Sequence, residues 1–196
     1  MGGSEMDPRV VEVGRRARLR GLPDIGASPA RGACLRAMAE AIGAGRILEV
    51  GTLGGEGAAW LAGSGAEVVS LEADSRFARI ARASLHAVGL GERVEVRAGY
   101  ALPEMELMVA AGEGFDMCVV DGDKRGSPAY VKLATELVRQ GGVLVVDDLE
   151  DARVRPAVAW MRECGAWAVS ELWEGKDGFA VGVRKRSAAP PPNFRE

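Results

Sequence analysis

The chain has 196 residues, of which 47% are hydrophobic and 27% charged, and its formal net charge is -3. This length suits one domain with a substantial core. The slight negative charge offers no basic footprint for nucleic acid, no apolar run reaches the length of a membrane span, and no signal peptide opens the chain, so we expect a cytoplasmic protein.

The few cysteines and the single histidine restrict the chemistry that the chain can perform. Cys34, Cys118 and Cys164 are widely spaced in apolar surroundings, which favours buried thiols in a reducing compartment over disulfides or a zinc site. His86 lies in a helical stretch and is expected to be exposed. These observations argue against Ser-His-Asp, Cys-His and histidine-metal chemistry.

The chain begins with a basic segment and ends with a proline-rich one. Residues 1–22 are rich in Gly and Arg, and this composition favours a solvated arm with at most one short amphipathic helix. Ser28 is then placed to cap a helix whose first position is Pro29. We divide the chain into the arm, a core domain over residues 23–185 and a disordered tail over residues 186–196.

Apolar strands alternate with amphipathic helices throughout the core domain. Strands are predicted at residues 46–50, 67–72, 93–97, 115–120, 142–146, 166–173 and 178–184. The alternation predicts a doubly wound α/β fold with a mostly parallel sheet. A short turn joins the last two strands, so we expect an antiparallel C-terminal hairpin.

The first strand leads into a glycine-rich turn that is followed by a helix. Four glycines stand within seven residues: Gly51, Gly54, Gly55 and Gly57. This sequence of elements brings bare backbone close to a ligand. The second strand ends in Glu72, about 20 residues further on, where a nucleotide-binding sheet places the acid that binds ribose hydroxyls. The alternative is a glycine-rich turn in an ordinary parallel sheet.

The spacing of these glycines distinguishes two classes of ligand. The dinucleotide pattern Gly-x-Gly-x-x-Gly is not matched, because Leu53 and Trp60 fall where glycines are needed. The pyrophosphate of a dinucleotide requires that pattern for close approach. S-adenosylmethionine carries adenosine without phosphate, so the residues favour a methyl donor and leave a dehydrogenase as the weakest alternative.

Carboxylates gather where the predicted strands end, which is the edge where open α/β sheets bind ligands. They are Glu49, Glu72, Asp121, Asp147 and Asp148. Asp121, Asp147 and Asp148 are hard oxygen donors that suit Mg²⁺, with Mn²⁺ or Ca²⁺ as alternatives. Lys124 follows Asp121 closely and is placed to act as a base. Alternatively, the aspartates cap the following turns and Lys124 pairs with Asp123.

Five stretches of the chain form a combined signature. They are residues 22–25 with 28–29, 47–52, 71–74, 115–124 and 141–148. Together they resemble the metal-dependent catechol and caffeoyl-CoA O-methyltransferases in their short bacterial form. The resemblance covers about residues 22–150 and the closing hairpin, and the combination is more specific than any single motif.

The resemblance implies a seven-stranded class I methyltransferase sheet, S-adenosylmethionine as methyl donor and a catechol-like aromatic acceptor. It implies that Asp121, Asp147 and Asp148 bind a divalent cation that chelates the acceptor, and that Lys124 is the general base. Glu72 falls on the ribose-binding acid. The other donor-binding residues that we predict are Ser28, Glu49, Gly51, Thr52, Gly55, Gly57, Ala73, Gly99, Tyr100 and Asp121.

The chain also departs from the family pattern. Asp148 stands where Asn is usual, Glu56-Gly57 replaces Tyr-Ser, and Tyr100 replaces an acid facing adenine and is expected to stack on the base. The segment after the last metal ligand is nearly absent between residues 149 and 156, which leaves acceptor identity and homodimerisation open. Two alternatives follow: a metal-independent methyltransferase acting on another oxygen or nitrogen, and a donor-binding module without turnover.

Overall fold

The computed structural model describes residues 6–186 as a central sheet with helices on both faces. Within these residues the helices are α1 Pro8–Leu19, α2 Pro29–Ala41, α3 Glu56–Ala62, α4 Ser75–Ala87, α5 Ala101–Ala110, α6 Ser127–Leu137 and α7 Arg155–Glu163. The strands are β1 Arg46–Val50, β2 Glu67–Glu72, β3 Val94–Ala98, β4 Phe115–Val120, β5 Val138–Val146, β6 Trp167–Glu174 and β7 Asp177–Arg184. The predicted tail, apart from Arg186, lies outside the described residues.

The strand order positions the functional edge of the sheet. The order is β3-β2-β1-β4-β5-β7-β6, in which β1 to β5 are parallel and β7 runs antiparallel between β5 and β6. The chain leaves β1 toward β2 on one side, and β4 lies on the other. The direction in which strands are added to the sheet therefore reverses between β1 and β4, and this reversal opens a crevice at their carboxyl ends. The predicted doubly wound fold and antiparallel hairpin are therefore confirmed.

Two apolar cores lie on opposite faces of the sheet, because successive strand side chains point to opposite sides. Leu48 and Val50 pack in the core that contains residues of α5, α6 and α7. Ile47 packs in the core that contains residues of α1 to α4. The central strands are buried on both faces, which explains why they are almost continuously apolar in the sequence.

The N-terminal helix is part of the folded domain. Val10 and Val13 of α1 are buried and join the core that contains residues of α2 to α4. On the other side of the helix, Arg15 and Arg16 pair with Glu12. The expectation of a solvated arm is therefore wrong for this stretch, whereas the division of the chain at residues 22 and 185 stays a prediction.

The ends of the elements follow local chemistry where the sequence supplied a signal. Ser28 Oγ accepts a hydrogen bond from the N–H of Arg31 at 3.2 Å and caps α2, as predicted. Strand β5 begins earlier than expected, because its pairing with β4 shifts register and Gly141 takes a positive φ of 78° within the irregular stretch. A bulge of this kind leaves no periodic pattern in the sequence.

The cysteines and the histidine only partly follow the expectations. Cys118 is buried and Cys34 half-buried, but Cys164 is exposed, so the prediction of three buried thiols is wrong at Cys164. All three thiols are free, and His86 is exposed as predicted. Among residues 6–186, no helix combines the length and apolar character needed to cross a membrane.

One carboxylate ties several segments together at the end of the sheet opposite the crevice. Asp116, near the start of β4, accepts hydrogen bonds from the backbone N–H groups of Gly45 at 2.7 Å and Arg46 at 2.9 Å. The same carboxylate pairs with Arg139 of β5. Asp116 therefore fixes the entry of the chain into β1.

We predict that Asp116→Ala lowers the free energy of unfolding by about 2–3 kcal/mol, because two backbone donors and one guanidinium lose their acceptor. Urea denaturation followed by circular dichroism measures the change. Asp177→Ala, at the exposed first residue of β7, is the control and should stay within about 0.5 kcal/mol of the wild type. Equal stability of the two variants would contradict the anchoring role.

Candidate donor and acceptor site

A pocket of 590 Å³ lies where β1, β2, β4 and β5 end. Eleven of the fourteen predicted site residues line it. They are Glu49, Gly51, Thr52, Gly57, Glu72, Ala73, Tyr100, Asp121, Lys124, Asp147 and Asp148. The structure thus brings the glycine turn, the acid of the second strand and the three aspartates into one cavity. The roles that the sequence assigns to these residues stay predictions.

Three predicted residues do not line the pocket, and each has another structural task. Ser28 caps α2, and its hydroxyl donates to Glu174 at 3.2 Å. Gly55 caps α3 with φ of 93°, and a side chain there would press on Leu85 in the core. A side chain at Gly99 would meet Glu104. Local sequence could not tell which side of each turn would face the ligand.

Gly51 permits the close contact between two strand ends. Its φ is 101°, and an added Cβ would lie 2.2 Å from the carbonyl oxygen of Asp121. The N–H of Gly51 donates to the carbonyl of Leu71 at 2.9 Å, and the N–H of Asp121 donates to the carbonyl of Val50 at 2.9 Å. Gly51 is therefore required by the packing of β1 against β4 as well as by any ligand.

Glu72 is held at the edge of the glycine turn. One carboxylate oxygen accepts from the N–H of Leu53 at 2.8 Å and the other from the N–H of Asp74 at 2.9 Å. Leu53 takes a positive φ of 47°, which aims its N–H at the acid. A carboxylate has about four acceptor positions, so Glu72 keeps lone pairs for a ligand diol.

A buried polar chain lies behind the pocket wall. Ser70 Oγ donates to Glu49 at 2.5 Å and lies 2.6 Å from Thr52 Oγ1. All three residues are buried. Burial raises the pKa of Glu49 to about 8, although the hydrogen bond from Ser70 opposes the shift. The Thr52 hydroxyl is thus engaged within the protein. Only the backbone of Thr52 is available to a bound methyl donor.

The two residues that replace the family's Tyr-Ser change this wall. An added Cβ at Gly57 would lie 2.3 Å from Glu49 Oε1, so the Glu49 carboxyl fills the space in front of Gly57. Glu56 lines the pocket, and its carboxylate lies 3.5 Å from the guanidinium of Arg18. Burial raises the pKa of Glu56, and Arg18 opposes the shift. Helix α1 therefore contacts the cavity wall through Arg18 and Glu56.

The three aspartates Asp121, Asp147 and Asp148, here called the acidic rim, all face cations of the chain. Lys124 Nζ bridges Asp121, at 3.2 Å, and Asp148. The sequence alternative that paired Lys124 with Asp123 is not observed, because Asp123 accepts instead from the N–H of Gly126 at 3.0 Å. Asp148 takes a positive φ of 62°, a conformation that Asp and Asn adopt more readily than other residues.

Asp147 has a partner that the sequence did not predict. A guanidinium nitrogen of Arg31 lies 2.7 Å from Asp147 Oδ1, and the two side chains are only 10% and 6% exposed. Burial raises the pKa of Asp147, and Arg31 opposes the shift. Desolvation and the charge of Asp147 likewise raise the pKa of Asp121, against the influence of Lys124.

The acidic rim fits a divalent cation poorly in this arrangement. Among the described residues, no group of three or more His, Cys, Asp or Glu side chains could hold a metal ion. Arg31 already occupies Asp147 Oδ1, so a cation bound there would share that carboxylate with a like charge. The prediction that Asp121, Asp147 and Asp148 bind Mg²⁺ is therefore not supported.

Arg31 and Tyr130 are two of the lining residues that the sequence did not predict. Arg31 lies in the first turn of α2, and Tyr130 lies in α6 and is largely buried. The sequence indicated Arg31 only indirectly. A rim of three carboxylates requires counter-charges, and a basic residue shortly after the Ser28-Pro29 cap can supply one. Nothing local to Arg31 shows that it faces Asp147, because the two residues are far apart in the sequence and meet only in the folded domain.

A seven-stranded sheet that ends in an antiparallel hairpin, with a glycine corner and an acid at its switch point, is the architecture of class I methyltransferases. The chain belongs to the O-methyltransferase family, whose model matches residues 4–153. This family comprises S-adenosylmethionine-dependent O-methyltransferases.

Curated relatives and solved structures agree with this membership. The chain is 40% identical over 146 residues to catechol O-methyltransferase of Mycobacterium tuberculosis and 32% identical over 157 residues to that of Niastella koreensis. These matches cover 73% and 74% of this chain and 66% and 71% of the relatives.

Among solved structures, the Bacillus cereus O-methyltransferase in complex with SAH matches with a TM-score of 0.87 and 33% identity, covering 93% of each chain. The O-methyltransferase TomG of Streptomyces achromogenes, involved in tomaymycin synthesis and in complex with SAM, matches with a TM-score of 0.83 and 27% identity. That match covers 93% of this chain and 92% of TomG.

We predict that Glu49→Gln flattens the pH dependence of stability. The pKa of Glu49 is about 8 in the folded chain, against an ordinary 4.5, so its stabilising contribution is complete below pH 4.5. That contribution is lost as the pH rises toward 8, by at most about 1.4 kcal/mol for each pH unit.

Urea unfolding at several pH values between 4.5 and 8 measures the effect. The wild type should lose more stability than Glu49→Gln over this range, whereas Glu106→Gln, at an exposed position of α5, should follow the wild type. Parallel curves for wild type and Glu49→Gln would show that the buried acid does not titrate in this way.

Proposed function

We propose that the chain transfers the methyl group of S-adenosylmethionine to a hydroxyl group of a small aromatic acceptor. The observation that carries the proposal is the continuity of the pocket. One cavity joins the glycine corner and Glu72 at its donor end to the Lys124 bridge at the other. A donor and an acceptor bound at these ends would lie side by side.

The donor end offers the contacts that adenosine requires. Glu72 keeps acceptor positions for the two ribose hydroxyls, and Tyr100, which is 76% exposed, presents its ring beside the pocket for stacking on adenine. The neutral form of Glu49 and the nearby backbone at Gly51 suit the methionine end. The Bacillus cereus and Streptomyces achromogenes relatives, which were solved with SAH and SAM, support this donor.

The acceptor end offers a proton acceptor close to the donor. In the reaction a lone pair of the acceptor oxygen attacks the methyl carbon while the carbon–sulfur bond breaks, and the bonding electrons return to sulfur, which becomes a neutral thioether. Lys124 rests as an ammonium between Asp121 and Asp148 and must first lose a proton to solvent. The neutral amine then takes the hydroxyl proton, and the two carboxylates stabilise the ammonium that forms again. No step is assigned to a metal ion, because the acidic rim fits one poorly.

The walls of the acceptor end suit a small aromatic ring. Ile25, Leu35 and Tyr130 line the pocket beside the charged rim. Ile25 is 73% exposed, so the cavity is open to solvent on this side. The catechol O-methyltransferases of Mycobacterium tuberculosis and Niastella koreensis support a catechol-like acceptor.

We predict that Glu72→Ala weakens binding of S-adenosylhomocysteine by about 10- to 100-fold, because the ribose hydroxyls lose a charged acceptor. Isothermal titration calorimetry measures the affinity. Glu67→Ala, at the exposed opposite end of β2, is the matched control and should bind like the wild type. Unchanged affinity in Glu72→Ala would remove this residue from the donor site.

We predict that Lys124→Ala lowers turnover of a catechol by about 100- to 10,000-fold and leaves S-adenosylhomocysteine binding intact, because only the proton transfer is lost. Lys132→Ala, at an exposed position of α6 outside the pocket, should keep full turnover. Full activity of Lys124→Ala would exclude this residue as the base. Donor binding without methylation of any phenol by the wild type would favour a donor-binding module.

A further inference from the structure

The acidic rim carries its own counter-charges. Asp147 is paired with Arg31 at 2.7 Å, and Lys124 lies between Asp121 and Asp148. Two cations of the chain therefore serve the three carboxylates on which a divalent ion would depend. The coordination that a hard cation needs is already directed at guanidinium and ammonium groups.

Arg31 is held in this position by the fold. The N–H of Arg31 donates to the Ser28 cap at 3.2 Å, which sets the residue in the first turn of α2. The guanidinium carbon lies 5.7 Å from the centre of the Phe179 ring of β7. The side chain is nine-tenths buried, and its Nε has no hydrogen-bond partner among the described residues. Arg31 is thus anchored from α2 and β7 before any ligand binds.

We propose that Arg31 takes the place of a divalent cation in this chain, so that methyl transfer proceeds without a metal ion. This proposal rests on the proposed function. Arg31 neutralises Asp147 and keeps the Asp147 carboxylate oriented at the acceptor end. Arg31 is thus a positioning residue. A metal ion at Asp147 would have to displace a buried guanidinium or share one carboxylate with a like charge.

The replacement also bears on the choice of acceptor. A divalent cation selects acceptors with two adjacent oxygens, because it chelates both. A guanidinium bound to Asp147 and an ammonium bound to Asp121 and Asp148 impose no such pairing. A single hydroxyl that reaches Lys124 is sufficient, so the chain should accept monohydric phenols as well as catechols.

The wild-type protein provides the deciding measurement. After dialysis against EDTA and saturation with S-adenosylhomocysteine, it is titrated with Mn²⁺ and free Mn²⁺ is followed by electron paramagnetic resonance. We expect no stoichiometric site, and turnover within about twofold with and without EDTA. One bound Mn²⁺ per chain that disappears in Asp147→Asn, or loss of turnover in EDTA, would overturn the proposal.

Variants of two arginines on α2 test the role of Arg31 directly. Arg31→Gln should gain a Mn²⁺ site, because Asp147 loses its partner, and its turnover in EDTA should fall by about tenfold. Arg36→Gln removes a charge from the same helix outside the pocket and should change neither property. A folded Arg31→Gln protein with wild-type turnover and no Mn²⁺ binding would contradict the proposal. If the variant does not fold, the wild-type titration decides.

Methylation rates of a monohydric phenol and of catechol test the metal-free proposal separately from the proposed methyltransferase function. A monohydric phenol should be methylated within about tenfold of the rate for catechol, and a strict requirement for two adjacent hydroxyls would contradict the acceptor inference. If the protein binds S-adenosylhomocysteine but methylates no phenol, the proposed function fails. The Mn²⁺ titration then still decides whether the acidic rim takes a cation.

Discussion

The close approach of two strand ends is the constraint on which the site depends. Where β1 ends, Gly51 lies so near the carbonyl of Asp121 that any side chain would collide with it. This contact turns the chain away from the sheet and sends it into α3. It also places Glu72, at the end of the neighbouring strand, beside the turn and within reach of the N–H of Leu53. The donor end is therefore rigid because it is built from paired backbone.

The acceptor end is built differently, from side chains that balance charge. Lys124, Asp147 and Asp148 lie in loops that follow strands, and Arg31 reaches Asp147 from the start of a helix. Such an arrangement is set by long side chains and electrostatic attraction, so one substitution can change its chemistry while the sheet beneath it stays the same. The two ends of this pocket are therefore held by different kinds of interaction.

Buried polar groups lie behind the donor end. Glu49 lies in β1 just before the glycine corner, and its hydrogen bond with Ser70 crosses to β2. A buried acid without a full charge partner is costly, so it is tolerated in a core only where hydrogen bonds satisfy it. The Glu49 carboxyl fills the space in front of Gly57, so a donor bound in the pocket would meet the core at Glu49.

The sequence by itself determined the order of the elements, the mostly parallel sheet and the residues at the carboxyl ends of its strands, because strand periodicity and glycine turns act over a few residues. It identified Glu72 and Asp121 in this way. Only the tertiary structure decided that α1 packs on the domain, that Gly55 faces the core, and that Arg31 pairs with Asp147. Those contacts join segments far apart in the chain, and such contacts arise from packing and leave no local pattern.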